Sequence, residues 1–431
     1  MSVNRLIYSV LFCHFIASMA ALGMPLFLPY VLPTLNGHGA IEWAGALFIL
    51  PTLCTALAAR FWGRFADKHG RRLSLLRAQV GLSLGFFLCG LADNMTTFVF
   101  GLIVQGTFGG AMAASNGYLA TQIKERSLLS KTLNKTQLSA RLALVVAPIS
   151  LGSVLAYIRP LDAYLYLTAQ PLIAFMLTLM LPKDTTKADV KKPTSLLTAI
   201  KPETKDLKHS NELVQSASLR TLYMLQFLFA FAMVVTFPYF AVFAHSRGID
   251  SQMWIGFLYA LPHLVYLLVA GKIHLIQQTA QRTITIGFSA LAIACLLHLL
   301  PSLMGIILAR ILFGLAMVFC FHGLHKMLTE SFNPNASGKV FASFDAMSKW
   351  GGVLAGLSAA FLTTANLASD PISGRYLAEI GTTQAIFVLA AAVSLLALVL
   401  SQTRLKPSAL EHKFVESTSD NPSSVKGVNS R

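Results

Sequence analysis

Two apolar stretches, residues 43–62 and 73–92, are joined only by the run Gly63-Arg64-Phe65-Ala66-Asp67-Lys68-His69-Gly70-Arg71-Arg72. Each stretch is close to the ~20 apolar residues that a helix needs to cross the hydrocarbon of a bilayer. A loop this short and this basic between two spans belongs on the cytoplasmic side. Comparable stretches recur along the chain, and twelve spans read out at 7–30, 43–62, 73–92, 97–119, 136–157, 163–182, 219–244, 253–274, 283–300, 303–327, 340–364 and 380–402. Charged residues make up only 12% of the 431, about half their share in a soluble globular domain. An all-α integral membrane chain is therefore expected. Its first apolar run is too long for a cleavable signal peptide and lacks a small-residue cleavage site, so it reads as a retained span.

The formal net charge of +16 would suggest nucleic acid in a soluble protein. Its distribution says otherwise. With both termini in the cytoplasm, Arg159, Arg247 and Arg375 fall on the outer side and Arg141, Arg310 and Lys349 fall deepest within spans, leaving 28 of the 34 Lys and Arg at the inner loops, the tails and the inner ends of spans. That bias is the positive-inside rule, and shifting the topology by one span would invert it. The basic excess is a topology signal with some attraction for anionic lipid, and no nucleic-acid partner is expected. The five cysteines, Cys13, Cys54, Cys89, Cys295 and Cys320, all lie in apolar spans. They have no metal-ligand spacing and form no pair in an outer loop, so they read as packing residues and no metal site is expected.

Between Pro182 and Leu219 the hydrophobicity collapses into a Lys/Thr/Asp-rich segment, too polar for the membrane and too poor in aromatics for a folded domain. The expected organisation is an N-terminal six-helix unit at 1–182, a cytoplasmic linker at 183–218, a C-terminal six-helix unit at 219–403 and a polar tail at 404–431. The halves echo one another. Trp43, Gly45, Leu47, Leu50, Pro51 and Leu53 reappear at the same offsets as Trp254, Gly256, Leu258, Leu261, Pro262 and Leu264. Pro25-Leu26-Phe27 echoes Pro238-Tyr239-Phe240, and Leu102-x-x-x-Gly106 parallels Arg310-x-x-x-Gly314. Parallel repeats of six spans point to two bundles rocking about a central site.

The pattern G-x-x-x-D-K-x-G-R-R in the first loop resembles the signature between helices 2 and 3 of the major facilitator superfamily. The resemblance implies twelve helices in two pseudo-symmetric six-helix bundles. It gives Gly63, Asp67, Gly70, Arg71 and Arg72 a gating role, with Asp67 facing the N-terminal end of span 11 when the inner side is closed. A carboxylate placed there gains ~0.3–1 kcal/mol from the helix dipole. In span 5, Ala147-Pro148-Ile149-Ser150-Leu151-Gly152 is similar to the Gly-Pro-x-x-Gly-Gly run of antiporter-type members. Pro148 and Gly152 are kept, which places the chain nearest the twelve-span drug/proton efflux group. Span 4 departs from that group, because Leu102 stands where its pattern has an arginine linked to proton transfer. The C-terminal half keeps the residue as Arg310, which reads either as an analogous electrostatic group or as a snorkelling side chain.

Ionisable residues inside the membrane are costly and mark function by default. Asp345 is the single carboxylate within a span, and aligning Ala147-Pro148 with Gly351-Gly352 sets Arg141 and Asp345 at equivalent positions. Lys349 lies one turn beyond Asp345, within i,i+4 reach. Two readings stand: a titrating acid at the inner gate, with Arg141, Arg310 and Lys349 as coupling partners, or a static bridge at the start of the span. His14, Asn116, Gln226, His322 and His325 lie on spans 1, 4, 7 and 10, which line the cavity in the superfamily, and His263 on span 8 joins them.

No nucleophile constellation, metal cluster or phosphate loop is evident, so an enzyme, an ATP-driven pump and a bound cofactor are not expected. The resemblance implies a secondary transporter in the bacterial inner membrane, with a small-molecule substrate, protons as coupling ion and a monomeric state. Export of a small organic compound leads, and an uptake symporter or facilitator for a metabolite is the alternative. A non-transporting sensor ranks third, for want of an appended soluble domain. One carboxylate against the three cations deepest within the spans favours an anionic or zwitterionic, siderophore-like cargo, with a drug-like compound as the other choice.

Overall fold

Apolar length, proline and glycine between them dictate the helices. A computed structural model describes residues 2–36, 38–183, 208–275, 278–331, 337–369 and 375–405, and its regular elements are all helical. In the first half these are α1 (Val3–Gly23), α2 (Leu28–Asn36), α3 (Ala44–His69), α4 (Arg71–Gly90), α5 (Met95–Phe108), α6 (Ala111–Gln122), α7 (Arg126–Leu155) and α8 (Pro160–Leu179). The second half contains α9 (Lys208–Val234), α10 (Phe240–Ser246), α11 (Gln252–Val269), α12 (Ala280–Leu297), α13 (Leu303–Glu330), α14 (Ser337–Ser369) and α15 (Arg375–Arg404). Among the described residues, nine helical segments are long and apolar enough to cross a membrane. The other three expected spans fall on α8, on α9 and on α14. Most of the linker, at 184–207, and the tail from 406 onward lie outside the described residues, and α9 begins at Lys208, within the segment expected to be linker.

Apolar side chains face outward as well as into the core, and polar ones are buried among the helices. Along α4, Val80, Leu84, Phe87 and Leu91 point outward in a stripe, whereas Ser74, Gln79 and Ser83 are buried. The Gln79 amide donates to the Thr178 hydroxyl at 2.8 Å, and the Ser83 hydroxyl donates to the Thr168 carbonyl at 2.9 Å. In lipid the apolar effect does not hold helices together, so small residues and such hydrogen bonds carry the packing. The arrangement is that of a multi-pass membrane protein.

Three spans are broken where the sequence withholds a backbone donor or tolerates an unusual turn. A 3₁₀ turn, Met24–Phe27, separates α1 from α2 at Pro25, and an irregular turn around Pro238 separates α9 from α10. These are the two members of the Pro-x-Phe echo. Span 4, expected as one helix, divides between α5 and α6 at Gly109-Gly110, where Gly110 takes φ +81°. Left-handed backbone there costs glycine little and other residues more.

The repeat reappears as packing. Gly106 of α5 lies so close to α3 that a Cβ would stand 2.5 Å from the Pro51 carbonyl oxygen, and a Cβ on Gly314 of α13 would stand 2.7 Å from that of Pro262 in α11. Helices α1 and α3–α8 pack among themselves, as do α9 and α11–α15, and two helix pairs, α3 with α14 and α7 with α11, join the bundles.

Candidate functional site

Those two pairs meet tightly at the end opposite the basic loop. On the α7–α11 side, Gly152 lies against the Gln252 carbonyl and Gly256 against the Pro148 carbonyl, with no room for a side chain on either glycine. On the α3–α14 side, a Cβ at Gly45 would stand 2.5 Å from the Gly356 carbonyl oxygen and 2.8 Å from the Ala360 nitrogen. The Tyr239 hydroxyl donates to the Glu42 carbonyl at 2.7 Å and accepts from the Gly45 N–H at 3.2 Å, lacing the second bundle to the start of α3. Pro148 and Gly152 thus serve the seam between bundles.

The basic end is open by comparison. Asp67, 65% exposed, pairs with Arg71 four residues on. The resemblance led to a contact with span 11 at this point, but in this conformation the partner lies in Asp67's own loop. Arg72 donates to the carbonyls of Thr178 and Leu179, tying the loop to α8. Gly70, at φ 102° and ψ 152°, makes the turn from α3 into α4, while a Cβ on Gly63 would meet open space.

Three side chains that sequence reading passed over hold the broken span together. A helix leaves its last four carbonyls without intrahelical partners. At the end of α5 the Gln105 carbonyl accepts from the Gly109 N–H at 2.9 Å, and Gly106 accepts from the Thr55 hydroxyl at 2.9 Å. Thr107 accepts from the Trp62 indole at 2.6 Å, and Phe108 accepts from Arg77 at 2.6 Å. The Arg77 guanidinium also lies 3.7 Å from the Trp62 ring centre. The doublet Gly109-Gly110 was the available signal. A cavity of about 260 Å³ opens beside this break, lined by residues of α1, α3, α5 and α6, including Thr52, Thr55, Gln105 and Met112, with Lys349 reaching in from α14.

The intramembrane cations differ in how they are satisfied. Arg310 is fully buried and does not snorkel. Its Nε donates to the Leu258 carbonyl at 2.8 Å and a terminal nitrogen donates to the Tyr259 carbonyl at 2.7 Å, with its Cζ 4.4 Å from the Phe240 ring centre. Leu258 stands four residues before Pro262, whose missing N–H would have bonded its carbonyl, so Arg310 satisfies what the proline leaves open. Lys349 and Asp345 form an ion pair at 2.8 Å, with side chains 57% and 66% exposed. Such an exposed pair contributes ~0–1 kcal/mol. Arg141 reaches from the first bundle into the second, its guanidinium 3.5 Å from His263 Nδ1 and its Cζ 4.1 Å and 4.7 Å from the ring centres of Tyr266 and Phe321.

None of the expected cavity residues lines the cavity beside the α5–α6 break. His14 is buried between Ser18 and Ser139, each hydroxyl 3.4 Å from its Nδ1. Gln226 is buried and Asn116 half-buried, each with an unpartnered side-chain oxygen. His263 is buried with its Nε2 unpartnered. His325 is exposed, its Nδ1 2.8 Å from the Phe321 carbonyl and its ring against Phe344, and His322 is half-buried one turn away. Among the described residues no cluster of three or more His, Cys, Asp or Glu could hold a metal ion.

The sequence profile of the Major Facilitator Superfamily matches residues 10–356 and, in a second match, 280–429. The chain belongs to the major facilitator superfamily. It is similar to the "Multidrug resistance protein MdtG" of Serratia proteamaculans (strain 568), with 34% identity over 176 residues covering 40% of this chain and 42% of that protein. A protein of the same name from Enterobacter lignolyticus (strain SCF1) is 29% identical over 227 residues, 52% of this chain and 50% of the relative. The matched region thus spans about half or less of these relatives' length. The superfamily fold is matched over nearly the whole molecule. A bacterial homolog of the human lysosomal transporter Spinster, inward-facing and unoccupied, superposes with TM-score 0.72 at 13% identity, covering 94% of this chain and 98% of that one. A point mutant of the nucleoside transporter NupG gives TM-score 0.68 at 14% identity, covering 93% and 98%.

Proposed function

We propose that this superfamily member is a secondary transporter of the bacterial inner membrane that exports a small organic compound in exchange for protons by alternating access. It acts as a monomer with both termini in the cytoplasm. The observation that carries this reading is the one-sided closure of the bundles. Glycine–backbone contacts seal α3 against α14 and α7 against α11 at one end, while Asp67, Arg71, Asp345 and Lys349 remain solvent-accessible toward the other. Two bundles joined chiefly through the α3–α14 and α7–α11 pairs can rock and exchange which end is sealed. The positive-inside bias makes the open end cytoplasmic. Export is supported by the names of the similar proteins and by the Pro148–Gly152 run in α7. Proton coupling is supported by Asp345, the carboxylate that falls within an expected span and pairs with Lys349.

The test is transport in proteoliposomes carrying an imposed proton gradient, with a panel of cationic, neutral and anionic dyes. Export driven by the gradient, accompanied by substrate-dependent proton movement in the opposite sense, is expected. Accumulation with the proton gradient, in the same direction, would replace the exporter by the uptake symporter.

A further inference from the structure

Arg141 lacks what Lys349 and Arg310 possess. Lys349 has Asp345, and Arg310 has two carbonyls. Arg141 sits in the corner between Tyr266 and Phe321, whose rings meet at 83°. Rings attract the charge but supply no oxygen to its N–H donors. A guanidinium carries five such donors, and the single polar contact of Arg141 is the 3.5 Å approach to His263 Nδ1. Among the described residues no carboxylate pairs with it. A cation in the membrane interior without an anionic partner is costly. A second polar group at the same place is also unsatisfied, since His263 is 3% exposed and its Nε2 has no partner.

The location gives this deficit meaning. Arg141 precedes Pro148 by seven residues and His263 follows Gly256 by seven, so the pair lies about 10 Å of helix rise below the sealed end. Arg141, Tyr266 and Phe321 are each half-buried rather than enclosed. The site is therefore built by both bundles, next to the seam that must part when the molecule changes state.

We propose that Arg141, His263, Tyr266 and Phe321 form a binding site for an aromatic organic anion. Its carboxylate pairs with the Arg141 guanidinium, and its ring packs on Tyr266 and Phe321. This rests on the transporter reading above and names the substrate class for it. An anion at Arg141 supplies the missing counter-charge, and a planar carboxylate matches the two-pronged geometry of arginine, which a lysine cannot reproduce.

Equilibrium binding to the purified full-length protein in nanodiscs tests this without any gradient, with 1-naphthoate and its neutral amide, 1-naphthamide, as probes. The wild type is expected to bind 1-naphthoate at least about tenfold more tightly than 1-naphthamide, the ratio set by one charge-assisted hydrogen-bonded pair. Arg141→Gln should bring the two ligands to parity, Arg141→Lys should fall between, and Lys272→Gln on the exposed basic face should keep the wild-type ratio. Equal binding of acid and amide by the wild type would overturn the proposal whatever the variants do. So would an undiminished ratio in Arg141→Gln that elutes as a monodisperse peak. The two readings fail separately. Loss of gradient-driven export with the acid preference intact removes only the exporter reading, and gradient-driven export of cationic dyes with no acid preference removes only this site.

Discussion

Arg310 and Pro262 are energetically coupled through one carbonyl group, and a double-mutant cycle can read that coupling directly. With Arg310 in place the Leu258 carbonyl has its donor at 2.8 Å, so adding an N–H at position 262 by Pro262→Ala supplies a group that already has a partner. In Arg310→Met the same carbonyl is buried and unpaired, and Pro262→Ala then restores the missing helical hydrogen bond. A buried orphaned carbonyl costs ~1–3 kcal/mol, so the coupling should be of that size, with about 2 kcal/mol as the central value. Removing the proline ring and losing the 4.4 Å contact with Phe240 also change stability. Each enters the single and double variants alike and cancels in the cycle. For a bundle of this size 1 kcal/mol moves the midpoint by roughly 2–4 °C. Pro262→Ala should therefore raise the thermal midpoint of Arg310→Met by roughly 4–8 °C more than it raises that of the parent. Scanning fluorimetry of the four proteins in one detergent measures this. Additivity within ~0.5 kcal/mol would refute the reasoning, because it would mean that Arg310 does not satisfy the proline-exposed backbone.

Gly256→Val places a side chain against the Pro148 carbonyl only when the bundles are sealed at that end, an overpacking cost of ~1–3 kcal/mol against one state. Thiol labelling of single cysteines in the cleft should then increase from the face opposite the basic loop, and an unaltered pattern would contradict the assignment of that seam. Asp67→Asn removes an exposed pair with Arg71 that contributes little to stability, ~0–1 kcal/mol, so expression should stay near normal while labelling from the basic face rises. Unchanged accessibility in a folded, transport-dead Asp67→Asn would mean that the carboxylate acts in some other way. Asp345→Asn should abolish substrate-induced proton movement in everted vesicles and leave ligand binding measurable. Full retention of proton movement would shift the coupling role to His14, His322 or His325.

Much of this molecule is one-dimensional information. The length of an apolar run decides that a helix can span a membrane, and the scarcity of charge within the runs shows there are many such helices. Proline and glycine mark the breaks, because a missing N–H or a missing Cβ acts on its own backbone whatever surrounds it. Pro25 and Pro238 show this, and so does the doublet Gly109-Gly110, which the expectation of an unbroken span 4 passed over. The pairing of Asp345 with Lys349 was legible for the same reason, since both lie on one helix at i,i+4. Contacts between helices are of another kind. They depend on the rotation of each helix about its axis and on its neighbours, which a run of apolar residues leaves nearly degenerate. Thus Trp62 and Arg77 cap the end of α5. Arg310 turns inward to α11 instead of outward to a membrane surface. Asp67 pairs with Arg71 four residues on, where the resemblance led to span 11. Arg141 was visible as a cation in a span, but only packing of α7 on α11 brings it across the seam to His263, Tyr266 and Phe321 and leaves it there without an anion.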